Sequence, residues 1–351
     1  ENTLIIFDEV QEVPKALTSL KYFHENAPQY AIVAAGSLLG VALHQGTSFP
    51  VGKVDFLDLY PLNFREFLCA MGEKQFVSML DSCDTQMVTV FKTKYIERLR
   101  EYYFVGGMPE VVKDFSEKKD YNRVRAIQKN LINYYQQDFS KHAEIKLVPR
   151  LNLVWNSIPM QLAKENKKYI YGQVREGSRA KDFELAIQWL LDCGLIHKVQ
   201  RIQKPDLPLK AYIDFDAFKL FLVDIGLLIA MTDLDAKVII EGNKIFTEFK
   251  GALTEQYILQ QLISDVGVIP YYYSTQNSKG EIDFLVQGKT SVIPIEVKAE
   301  ENLKAKSLKA FCEKYQPSYA VRTSMSDYRE QDWMTNIPLY AVKWIKNYVN
   351  Q

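Results

Sequence analysis

The stretch that most restricts the fold is "TLIIFDEV", residues 3–10, followed by a helical "PKALTSLKYFHE" and a second apolar run, "YAIVAAGS". Near-continuous apolar runs joined by a helix-length crossover predict parallel strands covered on both faces, since parallel neighbours cannot be joined by a tight hairpin. A third run, "KVDFLDLYPL", predicts another strand of the same α/β sheet. From Phe91 the spacing turns helical, with Ile96, Leu99 and Tyr103 along one stripe until "GGMPE" interrupts it.

Two further regions follow. The middle, about Tyr121 to Asp235, is mostly helical; in "SRAKDFELAIQWLLDCGLI", Phe183, Ile187, Leu190 and Leu191 share a face and Gly194 sits where the helix stops. Strand-like "LIHKVQRI" and "LKAYIDF" flank "QKPDLP" and outline the ribbon of a winged helix. The last region opens with the helix "EFKGALTEQYILQQLIS" and continues through three strands punctuated by "NSKG" and "QGKT". A helix over "LKAKSLKAFCEKY" and a strand at "SYAVRT" complete an α/β unit. Tyr271, Tyr272 and Tyr273 alternate faces along a strand, which predicts one or two packed and one at the surface. Changes in pattern place domains at 1–118, 119–235 and 236–351.

Charge is balanced, with 43 Lys and Arg against 43 Asp and Glu, so any binding to nucleic acid or an anionic surface must be local. Cys69, Cys83, Cys193 and Cys312 lie far apart, form no C-x-x-C pair and have four scattered histidines for company. That predicts a reduced, cytoplasmic protein without structural zinc. The apolar stretch "FKLFLVDIGLLIAM" is too short for a membrane span and is broken by Lys219 and Asp224, so no membrane is expected.

Asp8 and Glu9 end the first strand, where such acids either charge the following helix terminus or serve nucleotide hydrolysis. In the second role, Asp8 supports Mg²⁺ and Glu9 orients or deprotonates the attacking water. Ser37, at the end of the next strand, offers a hydroxyl donor to a γ-phosphate or the lytic water.

"TLIIFDEVQEVP", "AAGSLLG", "VDFLDLYPLNFREFL" and "YYFVGGMPEVV", in this order, resemble the bacterial and archaeal AAA-type ATPases that carry a C-terminal domain of uncharacterised function. The resemblance runs along nearly the whole chain. It implies that Asp8 and Glu9 are Walker B acids, that Ser37 is the sensor position and that a Walker A loop stands upstream. The family's Gly-Arg before "LYPL" reads Gly52-Lys53 here, and Lys lacks the planar bidentate contact of Arg. No G-x-x-x-x-G-K-[ST] is present; Gly288-Lys289-Thr290 reads as a hairpin turn. The implied fold places the Walker A strand centrally, between the sensor strand and the "LYPL" strand. Without it both neighbours would expose unpaired backbone groups, so residues upstream of Glu1 are expected in the natural protein.

At the other end, "GEIDFLV" and "IPIEVKA" give Asp283, then Glu296 and Lys298 in the order D…E-x-K, with Glu255 on the preceding helix. Strand alternation points Glu296 and Lys298 the same way, and pairing through "QGKT" brings Asp283 beside them. Such carboxylates either form a salt-bridged ladder or hold Mg²⁺ or Mn²⁺, with the lysine stabilising a pentavalent phosphate. The segment resembles the PD-(D/E)xK nuclease family. Arg175, Arg179 and Lys181, offset by Glu176, Asp182 and Glu184, lie before or within the helix that would meet DNA.

The expected fold is therefore α/β: a truncated P-loop AAA-type core, a mostly helical winged-helix middle, and a C-terminal α/β restriction-endonuclease-like domain. The expected function is ATP binding and hydrolysis with Mg²⁺, acting on DNA or a protein partner, with a homo-oligomer among the expected states. A metal-dependent DNA nuclease regulated by the ATPase part is the alternative, and a non-catalytic DNA-binding or scaffold module the second.

Overall fold

The computed structural model describes residues 3–37, 40, 52–164, 167–241, 247–275, 280–301 and 305–351. β1 (Leu4–Phe7) runs parallel to β2 (Ala31–Ala34), in register from Leu4↔Ala31 to Phe7↔Ala34, and α1 (Pro14–Asn26) makes the crossover. The expected third strand does not form: residues 54–61 make no ladder. Among the described residues β1 and β2 pair only with each other, and Leu57 and Leu59 stand 85% and 89% exposed. The peptide groups of an apolar run need a strand to pair with, and residues 54–61 have none among the described residues, so strand propensity alone does not make it a strand.

A helical layer follows, made of α2 (Phe64–Ala70), α3 (Lys74–Asp81), α4 (Lys92–Val105), α5 (Pro109–Lys118), α6 (Tyr121–His142), α7 (Val148–Leu162) and α8 (Ala180–Asp192). Asn63 and Glu66 form a capping box that starts α2, and Asp120 caps α6 through the amides of Asn122 and Arg123. In α8, Phe183, Ile187 and Leu190 are buried as the spacing predicts, and Gly194 takes φ 67° just beyond its end.

The remaining strands form one eight-stranded sheet in the order β4-β3-β5-β6-β7-β8-β10-β9. Its members are β3 (Ile196–Ile202), β4 (Ile213–Leu222), β5 (Tyr271–Ser274), β6 (Glu281–Gln287), β7 (Val292–Val297), β8 (Val321–Ser324), β9 (Arg329–Glu330) and β10 (Thr335–Pro338). α9 (Ile225–Met231) and α10 (Thr247–Gln261) lead from β4 into this sheet, and α11 (Lys306–Tyr315) crosses over from β7 to the parallel β8. The hairpin expected as a wing does form, but β3 also pairs with β5 through Arg201↔Tyr272 and Ile202↔Tyr273. It is thus one end of the sheet rather than a free ribbon. The "NSKG" turn lies outside the described residues except for Gly280, whereas "QGKT" closes the β6–β7 hairpin with a Gly288 N–H to Ser291 O bond of 2.9 Å.

All three consecutive tyrosines are buried, against the expectation of one at the surface. β5 lies inside the sheet with apolar layers on both faces: Tyr272 joins the main core, while Tyr271 and Tyr273 join a second core with Phe311. The main core is continuous from Phe64 to Ile345 and unites the helices with the sheet. Tyr95 of α4 stacks on Tyr340 at 4.9 Å, and the Trp344 indole donates to Leu80 O at 2.7 Å. By contrast, among the described residues before Pro61 only Val10 and Leu17 are buried.

One buried junction ties these parts together. Asp224 accepts hydrogen bonds from the amides of Gly107 (2.6 Å) and Leu227 (3.0 Å) and from the Gln260 amide group (3.3 Å). Leu62 N–H donates to Gly107 O at 2.8 Å, which pins "LYPL" to "GGMPE". Phe64 N–H donates to Gln261 at 2.8 Å, and Gln256 bonds both backbone groups of Leu222. Gly106, at φ 74°, would place a Cβ 2.2 Å from Asp224 Oδ1, and Gly107 one 2.2 Å from Leu62 O, so the close approach requires both glycines.

Candidate functional site

The strand geometry brings Asp8, Glu9 and Ser37 to the same end of β1 and β2. Their C-terminal ends are level, and Ala35 N–H bonds Phe7 O at 2.8 Å while Val10 N–H bonds Ala35 O at 3.0 Å. Asp8, Glu9 and Ser37 are exposed and line a cleft of about 1710 Å³. β2, residues 54–61, Tyr135, Asp138, Trp189 and His197 also line it. His197 is half-buried, and the loss of solvation around its ring lowers its pKa to about 4, keeping the imidazole neutral near neutral pH.

Glu9 adopts φ 47° and ψ 46°, the left-handed region that non-glycine residues avoid. The other described non-glycine residues with positive φ, Cys83, Lys119, Asp233 and Gln316, all follow helix ends, where this conformation is common. Strain held at a strand end beside a second acid is the kind that accompanies function. Glu9 N–H bonds Asp8 Oδ1 at 3.0 Å, and the Gln11 side-chain amide donates to the Glu9 carboxylate. Sequence reasoning missed Gln11; its signal was its place within "DEVQ", where the short helical turn over 10–12 folds it back on Glu9. Lys53 also lines the cleft and sits 3.9 Å from Glu25 of α1. The carboxylates, the hydroxyl and the open cleft fit a Mg²⁺–nucleotide: Asp8 could hold the cation, Glu9 a water and Ser37 a phosphate oxygen.

The C-terminal residues also gather. Val297 N–H donates to Asp283 Oδ2 at 2.7 Å, Lys298 lies 2.5 Å from Glu296 Oε1, and Glu255 projects from α10 toward the same strands. Three residues missed in the sequence complete the cluster. Lys219 of β4, with no exposed side-chain surface, pairs with Glu281 and lies 3.7 Å from Glu255 Oε2, while Lys167 pairs with Glu255. The Lys219 ammonium also sits 4.8 Å from the Tyr272 ring centre. The only sequence signal for Lys219 was its intrusion into an apolar run.

Burial alone would raise Glu255, but the Lys167 and Lys219 charges outweigh it and hold this carboxyl below its usual range. For Asp283, burial and then the Glu255 and Glu296 charges push the pKa well up. Glu296 is raised by burial, against the opposing pull of Lys298. Lys219 is held above its usual value because Glu255, Glu281 and Asp283 overcome the effect of burial. Among the described residues no group of three or more His, Cys, Asp and Glu side chains is arranged to hold a metal ion.

A pH test follows from Asp283. The folded chain keeps a proton there that the unfolded chain releases near about pH 4, so this group weakens folding progressively as pH rises toward its raised folded pKa. Asp283→Asn keeps an oxygen for Val297 N–H and removes that loss. Its melting temperature relative to the parent should therefore climb as pH rises above about 4, where the unfolded chain loses this proton. A difference that stays flat with pH contradicts a proton-holding Asp283.

Residues 1–68 match the family model described as an AAA domain, which supports an AAA-type ATPase family. Residues 96–238 match a Domain of unknown function (DUF8612), and residues 250–342 a Domain of unknown function (DUF4143). No curated protein and no solved structure matches the chain. No helix among the described residues is long and apolar enough to cross a membrane.

Proposed function

We propose that this protein hydrolyses ATP with Mg²⁺ and uses the cycle to move its helical and C-terminal body on DNA or a protein partner. The observation that carries the reading is the placement of Asp8, Glu9 and Ser37 at the ends of two parallel strands, opening into one cleft, within the segment that matches an AAA domain. Asp8 holds Mg²⁺, Glu9 orients and deprotonates water, and Ser37 donates to the γ-phosphate or that water. Phosphate binding requires a loop seated between β2 and residues 54–61. Exposed Val33, Phe56, Leu57 and Leu59 suit a strand at that place, because an apolar wall of this kind favours cover.

The route to the C-terminal part is supported by the buried junction, where "LYPL" meets Gly107 and α10 through Gln261. A DNA partner is favoured by exposed Arg175, Arg179 and Lys181 at the start of α8, beside the β3–β4 hairpin. The test is Mg²⁺-dependent ATP hydrolysis by the full-length protein with and without duplex DNA. Stimulation severalfold by DNA, lost in the Arg179→Glu/Lys181→Glu protein, is expected; turnover that ignores DNA favours a protein partner, and no turnover in either case contradicts the reading.

A further inference from the structure

The C-terminal carboxylates come from one segment and their counter-charges largely from another. Glu255, Glu281, Asp283 and Glu296 belong to the region 250–342, whereas Lys167 and Lys219 belong to the region 96–238. β4 delivers Lys219 into the space between α10 and β6, where its ammonium meets Glu281 and Glu255 and covers Tyr272. A divalent cation shared by Glu255 and Glu281 would have to stand where that ammonium already stands, and would face its repulsion at short range.

We infer that Lys219 takes the place of a divalent cation in the C-terminal carboxylate cluster, making it a metal-independent ionic core that locks the middle segment to the C-terminal one. Lys167 supports it from the far side of Glu255, and Lys298 neutralises Glu296. Lys167, Lys219 and Lys298 thus each pair with a carboxylate of the cluster, Glu255, Glu281 and Glu296 respectively, the matching a buried ion cluster needs. The buried Oε2 atoms of Glu255 and Glu296 have no hydrogen-bond partner among the described residues, so the acids are poised to use a cation if the ammonium is withdrawn.

This inference is independent of ATP hydrolysis, and its readout is manganese binding by the full-length protein, followed by calorimetry and melting temperature. Up to about 1 mM Mn²⁺, wild type should show no saturable binding and no melting shift beyond those of the Glu255→Gln protein, in which a cation held at Asp8 is unaffected, since a ligand stabilises only the state it binds. Lys219→Met should melt lower than wild type, bind Mn²⁺ at least about tenfold more tightly, and recover part of its melting temperature on binding. If that variant does not fold, Lys219→Met/Glu281→Gln removes one charge of each sign, and the same comparison with wild type decides. Saturable Mn²⁺ binding by wild type that Glu255→Gln abolishes overturns the inference. So does a folded lysine-free variant that gains no manganese affinity.

Discussion

Asp224→Ala is expected to cost about 3 kcal/mol of folding free energy, because it leaves buried N–H donors without an acceptor at about 1–3 kcal/mol each. The amides of Gly107 and Leu227 lose their partner, and Leu227 also loses its helix cap. Asp224 carries no ion pair among the described residues; burial raises its pKa while the Gly107 and Leu227 amides pull it back. Part of the loss is therefore offset by removing a poorly solvated carboxyl. Asp224→Asn keeps the shape but aims an NH₂ group at N–H donors, so it should recover only part of the stability. Urea denaturation of the three proteins checks this, and a midpoint unchanged in Asp224→Ala contradicts the role given to the junction.

The second large effect falls on chemistry. Glu9→Gln preserves size and still accepts the Gln11 amide, but removes the carboxylate proposed as the base, and general-base catalysis contributes about a hundredfold or more. ATP turnover of the full-length variant should drop by at least that factor. Nucleotide binding should change little, because in the proposed site Mg²⁺ is held by Asp8 and not by Glu9. A parallel loss of binding and turnover would instead mean that Glu9 holds the cation.

Much of the layout was legible from pattern. β1, α1 and β2 followed from two apolar runs and their helical crossover, and α4 and α8 from their stripes. The gathering of Asp283, Glu296 and Lys298 followed from strand alternation and a short turn. What failed was whatever depends on neighbours. Residues 54–61 have the composition of a strand but pair with no strand among the described residues, and Tyr271 to Tyr273 are all buried because apolar layers cover both faces of their sheet.

The clearest lesson concerns Lys219 and Asp224. In the sequence they were only charges that interrupt an apolar run, enough to exclude a membrane span. Folded, they are fully buried, one inside a carboxylate cluster and the other at the meeting of three segments. A charge within an apolar stretch signals a buried partner, but periodicity cannot name it. Lys219 meets Glu281 from 62 residues away and Asp224 meets Gly107 from 117.

The central claim, that Asp8, Glu9 and Ser37 form the hydrolytic half of an ATPase site, is tested most directly by measuring ATP binding and Mg²⁺-dependent turnover on one preparation of full-length Glu9→Gln protein. Binding close to that of wild type with turnover reduced about a hundredfold or more is expected. Turnover equal to that of wild type would contradict it.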